Sequence, residues 1–263
     1  MLETEGLSVR FGGHVAVDQV SCRFAAGTLT AIVGPNGAGK TTYFNLISGQ
    51  LPATAGRVRL DGEDITALPA PLRTRRGLGR AFQLTQLFPG LSVLENVRLA
   101  VQARRGGGLN AWSVWLDHRA WIDEARALLD AVRLDARRAL PAAGLPHGDQ
   151  RKLEVALLMA LDPKVYLFDE PTAGMSADEV PVVLDLIRAL KARRERAILL
   201  VEHKMDVVRE LADRIVVLHN GRLVADGEPA AVIASPVVQQ AYLGSAAFAE
   251  AGAAALAAGP AVG

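Results

Sequence analysis

The stretch Gly34-Pro35-Asn36-Gly37-Ala38-Gly39-Lys40-Thr41 is a complete phosphate-binding loop of the form GxxxxGK[ST]. The apolar run at residues 28–33 predicts a buried β-strand before it, and residues 42–48 predict a helix after it. The glycines let backbone N–H groups turn toward phosphate oxygens, and the helix N-terminus adds partial positive charge. We therefore expect an α/β fold built around a nucleoside triphosphate site.

The side chains of this loop have distinct predicted roles. Lys40 supplies a positive charge for the β- and γ-phosphates, and the hydroxyl of Thr41 is a ligand for Mg²⁺. The residues predicted to bind the nucleotide are those of the loop and the residue after it, namely Gly34, Pro35, Asn36, Gly37, Ala38, Gly39, Lys40, Thr41 and Thr42.

A second segment, Val165-Tyr166-Leu167-Phe168-Asp169-Glu170, predicts an apolar strand that ends in two carboxylates. Asp169 is placed to hold Mg²⁺, as the carboxylate of other phosphate-loop enzymes does. Glu170 follows at the strand end, where it can orient and deprotonate a water molecule. The structural alternative is a pair of solvated acids. Together with the loop, the segment predicts binding and hydrolysis of a nucleoside triphosphate.

Composition narrows the classes of partner. The chain has 263 residues and a net charge of +1, so it carries no basic excess that would predict binding to nucleic acid. One cysteine, Cys22, excludes an internal disulfide. We see no run of ~20 apolar residues free of charges, so transport across a membrane would need separate membrane subunits.

Further motifs follow in a fixed order. They are Ala81-Phe82-Gln83, then Gly144-Leu145-Pro146-His147-Gly148-Asp149-Gln150-Arg151, then Ala173-Gly174-Met175-Ser176 after the carboxylates, and finally Val201-Glu202-His203. This order resembles the ATP-binding subunit of ABC transporters over nearly the whole chain. Leu87-Phe88-Pro89, Asp169-Glu170-Pro171-Thr172-Ala173-Gly174-Met175 and Ala241-Tyr242-Leu243-Gly244 resemble the branched-chain amino acid importer subgroup.

The resemblance implies an α/β fold with the P-loop NTPase core of ABC ATPases. An N-terminal antiparallel β region and an inserted helical subdomain, at about residues 84–163, would complete a single domain at residues 1–244. Residues 245–263 are rich in alanine and glycine, and we predict that they form a disordered or weakly helical tail without a chemical role.

The resemblance also assigns roles to residues. Phe11 would stack on adenine, Gln83 would contact the metal and the attacking water, and His203 would face the γ-phosphate, so Glu170, His203 and Gln83 form the catalytic set. The metal ligands would be Thr41, Gln83 and Asp169. Each of the three family residues has a plainer alternative: a core aromatic for Phe11, a solvated loop amide for Gln83 and a histidine at the edge of the core for His203.

The segment Leu145, Pro146, His147, Gly148 and Asp149 occupies the place of the family's LSGGQ signature, which closes over the ATP of the paired subunit. Pro146 stands where the family usually has serine, and His147 where it usually has glycine. Proline has neither a hydroxyl nor an N–H, so we expect fewer contacts across the dimer. The alternative is a tolerated variation, since proline suits the start of a helix. The Gly148 N–H and a helix that begins near Asp149 would remain to bind phosphate.

The resemblance implies an ATP-hydrolysing subunit with ATP and Mg²⁺ as ligands. It would power an importer for branched-chain amino acids or a related small polar solute. Its partners would be transmembrane permease subunits, a second ATPase subunit (the same or a related chain) and an external solute-binding protein, with no nucleic acid. It would lie peripherally on the cytoplasmic face of the inner membrane. Two alternatives stay open: a catalytically weak or regulatory partner in a heterodimer, and a non-transport ABC ATPase.

Overall fold

The computed structural model describes residues 1–81, 87–106 and 119–241. Within them the strands are β1 (Leu2–Phe11), β2 (His14–Phe24), β3 (Leu29–Val33), β4 (Ala55–Leu60), β5 (Glu63–Asp64), β6 (Leu78–Ala81), β7 (Val165–Asp169), β8 (Ala197–Val201), β9 (Arg214–His219) and β10 (Arg222–Gly227). The helices are α1 (Lys40–Ser48), α2 (Ala70–Arg75), α3 (Val93–Arg104), α4 (Arg119–Ala131), α5 (His147–Leu161), α6 (Val180–Ala192), α7 (Met205–Leu211), α8 (Pro229–Ala234) and α9 (Pro236–Ala241).

The strands form two sheets. A four-stranded antiparallel sheet has the order β2-β1-β4-β5, which is the expected N-terminal antiparallel region. The second sheet has the order β10-β9-β3-β8-β7-β6. In it the strands from β9 to β6 run parallel, and β10 pairs antiparallel with β9. No helix of the described residues is long and apolar enough to cross a bilayer.

The parallel order explains where the site lies. Carboxyl ends of parallel strands meet at one edge of a sheet, which is where ligands of α/β folds bind. The phosphate loop follows β3, Glu170 follows β7 and His203 stands two residues beyond β8. The sequence motifs therefore converge on one edge because β3, β8 and β7 are adjacent.

The parallel sheet is covered on both faces. Tyr166 and Phe168 of β7 belong to the apolar core formed with α3, α4 and α5. Val165 and Leu167 of the same strand belong to a second core, with α1 and the antiparallel sheet. All four are buried, as alternation along a strand between two covering layers requires.

A buried arginine stabilises the end of α1. Arg73 is 2 % exposed and donates to the carbonyl oxygens of Leu46 and Ile47, each at 2.7 Å. It also donates to the carbonyls of Thr66 at 2.6 Å and Leu68 at 2.8 Å. The last carbonyls of a helix lack the N–H donors of a following turn. Arg73 supplies a donor to Ile47 and a further donor to Leu46, whose carbonyl also accepts from the Gly49 N–H at 3.3 Å.

Two predicted helix starts differ from the structure. α1 begins at Lys40, two residues before the predicted start at residue 42. α5 begins at His147, two residues before the start that we expected near Asp149. Pro146 is its N-cap with φ −55° and ψ 156°, a conformation that the proline ring permits. The glycine at 148 therefore lies inside the first turn rather than in a loop.

Candidate active site

The phosphate loop is tightly packed against β2. Gly39, the N-cap of α1, has φ +96°, and a Cβ there would lie 2.5 Å from the Ala16 carbonyl oxygen. Such a backbone conformation and such a close approach both favour glycine. The loop is therefore held by β2 in a conformation that leaves the N-terminus of α1 facing the sheet edge.

Lys40 is buried against the loop itself. Its Nζ donates to the carbonyl oxygens of Gly34 at 2.7 Å and Pro35 at 3.0 Å. Burial lowers the pKa of Lys40, and the negative charges of Glu170 and Asp169 oppose that shift. The lysine thus lies within the electrostatic reach of both carboxylates at the carboxyl end of β7.

Asp169 is held by an arginine that the sequence analysis missed. The Arg80 guanidinium on β6 contacts Oδ2 of Asp169 at 2.6 Å, and both side chains are almost fully buried. Burial raises the pKa of the Asp169 carboxyl, and Arg80 opposes that shift. The other oxygen, Oδ1, is buried without a hydrogen-bond partner among the described residues.

Arg80 connects three parts of the site. Its Nη1 contacts Oδ1 of Asn45 at 2.7 Å, Oγ of Ser48 at 2.9 Å and Oε1 of Gln50 at 3.0 Å. Its guanidinium carbon lies 5.6 Å from the centre of the Phe44 ring, within cation–π distance. The Arg80 guanidinium thereby connects β6 to α1 and to β7. The only sequence signal was a charged residue inside a strand-like run.

Glu170 and His203 are in direct contact. Nε2 of His203 lies 2.7 Å from Oε1 of Glu170. β7 and β8 are paired with Asp169 opposite Val201, and the Glu170 N–H donates to the Val201 carbonyl at 2.9 Å. Glu170 has φ +50°, which is uncommon for a residue other than glycine. The pair lies at the same sheet edge as the phosphate loop.

Glu202, which the sequence analysis did not select, is buried beside this pair. It is 4 % exposed. Its Oε1 accepts from Oγ1 of Thr172 at 2.6 Å, and its Oε2 accepts from the N–H groups of His203 at 2.9 Å and Lys204 at 3.3 Å. An acidic residue directly after an apolar strand was the available signal.

The segment at residues 145–149 lies around the N-terminus of α5. Leu145 is buried, whereas Pro146 and His147 are exposed. No side chain caps the helix at Pro146, and the first N–H groups of a helix have no acceptor within it. The Asp149 carboxylate forms ion pairs within the chain, with Lys152 at 2.9 Å and with Arg137.

The segment after Glu170 packs against the N-terminus of α5. Glu179 accepts from N–H and Oγ of Ser176 and contacts Lys152 at 3.1 Å. A Cβ at Gly148 would lie 2.2 Å from Oε2 of Glu179, and one at Gly174 would lie 3.0 Å from the His147 ring. A methyl group at Gly148 would therefore displace the Glu179 carboxylate from its contacts with Ser176 and Lys152.

The remaining predicted residues are placed as follows. Phe11 ends β1 and is 51 % exposed, so it is not a core aromatic. Thr41 and Thr42 lie in the first turn of α1, half-buried. Gln83 lies outside the described residues, as do the tail at 245–263 and Tyr242 to Gly244.

The arrangement fits Mg²⁺. That ion prefers hard oxygen donors and is usually bound by one or two carboxylates together with substrate phosphates. The buried, unpartnered Oδ1 of Asp169 is such a donor, and Thr41 offers a hydroxyl. Among the described residues no group of three His, Cys, Asp or Glu side chains could hold a metal.

Comparison with known proteins identifies the family of this chain. The family model described as ABC transporter matches residues 17–173. The chain is 36% identical over 252 residues to the high-affinity branched-chain amino acid transport ATP-binding protein BraF of Pseudomonas aeruginosa, covering 94% of this chain and 98% of the relative. It is also 36% identical over 251 residues to the protein of that description named LivG in Escherichia coli K12, covering 94% and 98%.

A solved structure gives the same result for the fold. The ADP conformation of an ATP-binding cassette of an ABC transporter aligns with a TM-score of 0.76 at 29% identity, over 93% of this chain and 99% of that chain. The expected P-loop NTPase fold of the ABC ATPase type is thus confirmed, with its antiparallel sheet and helical insertion. The chain belongs to the ABC transporter family and is an ATP-binding ATPase of it.

Proposed function

We propose that this chain is the ATP-hydrolysing subunit that powers a membrane importer for branched-chain amino acids or a related small polar solute. The hydrolytic part of the proposal is carried by the contact between Glu170 and His203 at the edge that holds the phosphate loop. The transport part is supported by the full-length similarity to proteins named for branched-chain amino acid transport.

The side chains divide the reaction between them. Lys40 and the backbone of the loop bind the phosphates, and Phe11 stacks on the base. Asp169, Thr41 and Gln83 would hold Mg²⁺, which would supply positive charge to offset the negative charge of the phosphates. Glu170 takes a proton from the attacking water. In this proposal His203, whose ring contacts the Glu170 carboxylate, keeps that carboxylate oriented toward the water.

Pairing of two ATPase subunits completes the proposed site. The residues Leu145, Pro146, His147, Gly148 and Asp149 would close over the ATP of the paired subunit, with the N–H groups of the first turn of α5 as donors. Transmembrane permease subunits and an external solute-binding protein would complete the importer. The chain would then lie peripherally on the cytoplasmic face of the inner membrane.

We also propose that residues 1–244 act as a single ATPase domain. The core that contains α3, α4 and α5 continues into β7 and β8 without a break, which supports treating the helical insertion at about residues 84–163 as part of that domain. Residues 245–263 supply no side chain to the site in this proposal.

Two substitutions test the hydrolytic assignment. Lys40→Ala should abolish tight ATP binding because the phosphates lose their main counter-charge. Glu170→Gln should retain ATP and Mg²⁺ binding but lose most turnover, since an amide cannot accept the proton. Equilibrium titration with ATP and steady-state phosphate release measure the two effects. Glu228→Gln is a matched control, because Glu228 is exposed and follows β10 at the opposite edge of the sheet.

The transport assignment has its own test. The tagged chain is purified from membranes of its host, the copurifying proteins are identified, and the complex is reconstituted in vesicles. We expect a multi-span membrane protein, and ATP-dependent uptake of labelled leucine that Glu170→Gln abolishes. Copurification with no membrane protein would contradict the assignment while leaving the ATPase result intact.

One observation favours a second candidate, a catalytically weak partner in a heterodimer of ATPases. Pro146 provides no hydroxyl, no N–H and no side-chain cap at the N-terminus of α5. In a homodimer both sites would carry this loss, whereas a related partner would supply an intact segment to the ATP bound at Lys40. Weak ATPase activity of the isolated chain that rises on addition of the partner would favour this candidate.

A further inference from the structure

We propose that Glu202 is a positioning residue for hydrolysis. Its buried carboxylate binds the His203 N–H and the Thr172 hydroxyl, and through them it fixes both members of the Glu170–His203 pair. This inference rests on the proposed function, since it assumes that the pair acts on the attacking water. It adds a residue that touches neither nucleotide nor water, together with its partner Thr172.

The Glu202 carboxylate is shielded from solvent and met only by hydrogen-bond donors. It is 4 % exposed, and Thr172 is 1 % exposed. Among the described residues no lysine, arginine or histidine forms an ion pair with it. Its charge is balanced by the Thr172 hydroxyl at 2.6 Å and by the N–H groups of His203 at 2.9 Å and Lys204 at 3.3 Å. A buried charge needs such donors, so these three groups are fixed in place relative to one another.

The contacts form a closed ring. From Oε1 the ring runs through Thr172 and back along the chain to Glu170, two residues earlier. From Oε2 it runs through the His203 N–H to the His203 ring, whose Nε2 lies 2.7 Å from Glu170. Glu170 is therefore tied to one carboxylate by two separate routes.

The ring explains how Glu170 keeps an uncommon conformation. Its φ of +50° is unfavourable for a residue with a side chain and persists only where the surroundings fix it. The Glu170 N–H is held by the Val201 carbonyl, and Thr172 anchors the chain two residues later. Glu202 thus holds the chain on the far side of the strained residue.

The number of donors and acceptors gives a specific expectation for each substitution. A carboxylate accepts at both oxygens, whereas a glutamine amide accepts at one and donates at the other. Glu202→Gln can still complete the ring if its oxygen takes the backbone N–H groups and its amide donates to Thr172, since a hydroxyl also accepts. Thr172→Val cannot complete it, and Thr172→Ser can.

The experiment measures kcat, KM and the ATP dissociation constant of these variants, with the stoichiometry of ATP binding as a check on folding. We expect Thr172→Val to lower kcat by about tenfold to a hundredfold, the loss that misplaced catalytic groups cause, with ATP affinity within about twofold of the parent. Glu202→Gln and Thr172→Ser should stay within about threefold of the parent kcat. Thr74→Val is the matched control, because its exposed hydroxyl only donates to the Ala70 carbonyl within α2.

The outcomes separate this inference from the proposed function. If Glu170→Gln and His203→Ala lower kcat but Thr172→Val does not, Glu202 is not a positioning residue. If Thr172→Ser loses as much kcat as Thr172→Val, the hydroxyl contact is not what matters and the inference is overturned. If Glu170→Gln itself turns over at the parent rate, the proposed function fails first.

Discussion

Replacing Arg80 with methionine removes one half of a buried ion pair. The two side chains are 5 % and 0 % exposed, with Nη2 of Arg80 at 2.6 Å from Oδ2 of Asp169. Removing one partner of a buried pair typically costs about 3–5 kcal/mol, because the other charge is left uncompensated. In a chain of this size each 1 kcal/mol lowers the melting midpoint by about 2–4 °C. We therefore expect Arg80→Met to lower the midpoint by roughly 10 °C.

A double-mutant cycle separates the ion pair from the packing of the arginine stem. Asp169→Asn removes the charge that Arg80 neutralises, so the double variant should be more stable than the sum of the two single effects by about 2 kcal/mol. Denaturant unfolding measures all four proteins. Ser48→Ala is a control, since it removes a neutral acceptor of Arg80 and leaves the pair. Additivity of the two single variants within about 0.5 kcal/mol would refute the argument.

Three further predictions follow from contacts near the site. Pro146→Ser should raise the steady-state ATPase rate on the order of tenfold if a hydrogen bond to a charged phosphate, about 1.5–3 kcal/mol, is expressed in the transition state. The melting midpoint of this variant should change little, because an N-cap gain of ~1 kcal/mol offsets the lost rigidity of proline. An unchanged ATPase rate would make the proline a tolerated variation. Gly148→Ala should destabilise the protein by about 0.5–1.5 kcal/mol in urea unfolding, because the added methyl displaces the Glu179 carboxylate from its hydrogen bonds to Ser176. The cost should be much less in a Glu179→Ala background, and equal costs in both would rule out the contact. Cys22 is 5 % exposed and burial raises the pKa of its thiol, so a thiol reagent at neutral pH should label it only after unfolding; fast labelling of the folded protein would disprove its burial.

The phosphate loop and the strand at residues 165–169 could be predicted because their signals are local. Each consists of consecutive residues in which glycine, lysine or paired carboxylates follow an apolar strand. The parallel sheet then brings Glu170 and His203 together, since their strands are neighbours. The N-terminal antiparallel sheet was expected from the family resemblance.

The supporting residues could not be predicted, because their partners are distant in the sequence. Arg80 meets Asp169 across 89 positions and Glu202 meets Thr172 across 30. A single charged residue beside a strand carries no information about which partner will face it. The start of α5 was expected near Asp149 and lies two residues earlier, at His147.

The alternation along β7 has a consequence for how such a protein can change. Tyr166 and Phe168 pack in the core with the helical layer, whereas Val165 and Leu167 pack in the core behind the phosphate loop. Substitutions on opposite faces share few neighbours, so their effects should be close to additive. The helices could therefore be reshaped over evolutionary time to suit new neighbours while the packing behind the loop stays intact. The two-sided packing of this five-residue strand would thus let the protein acquire different binding partners while its ATP site stays the same.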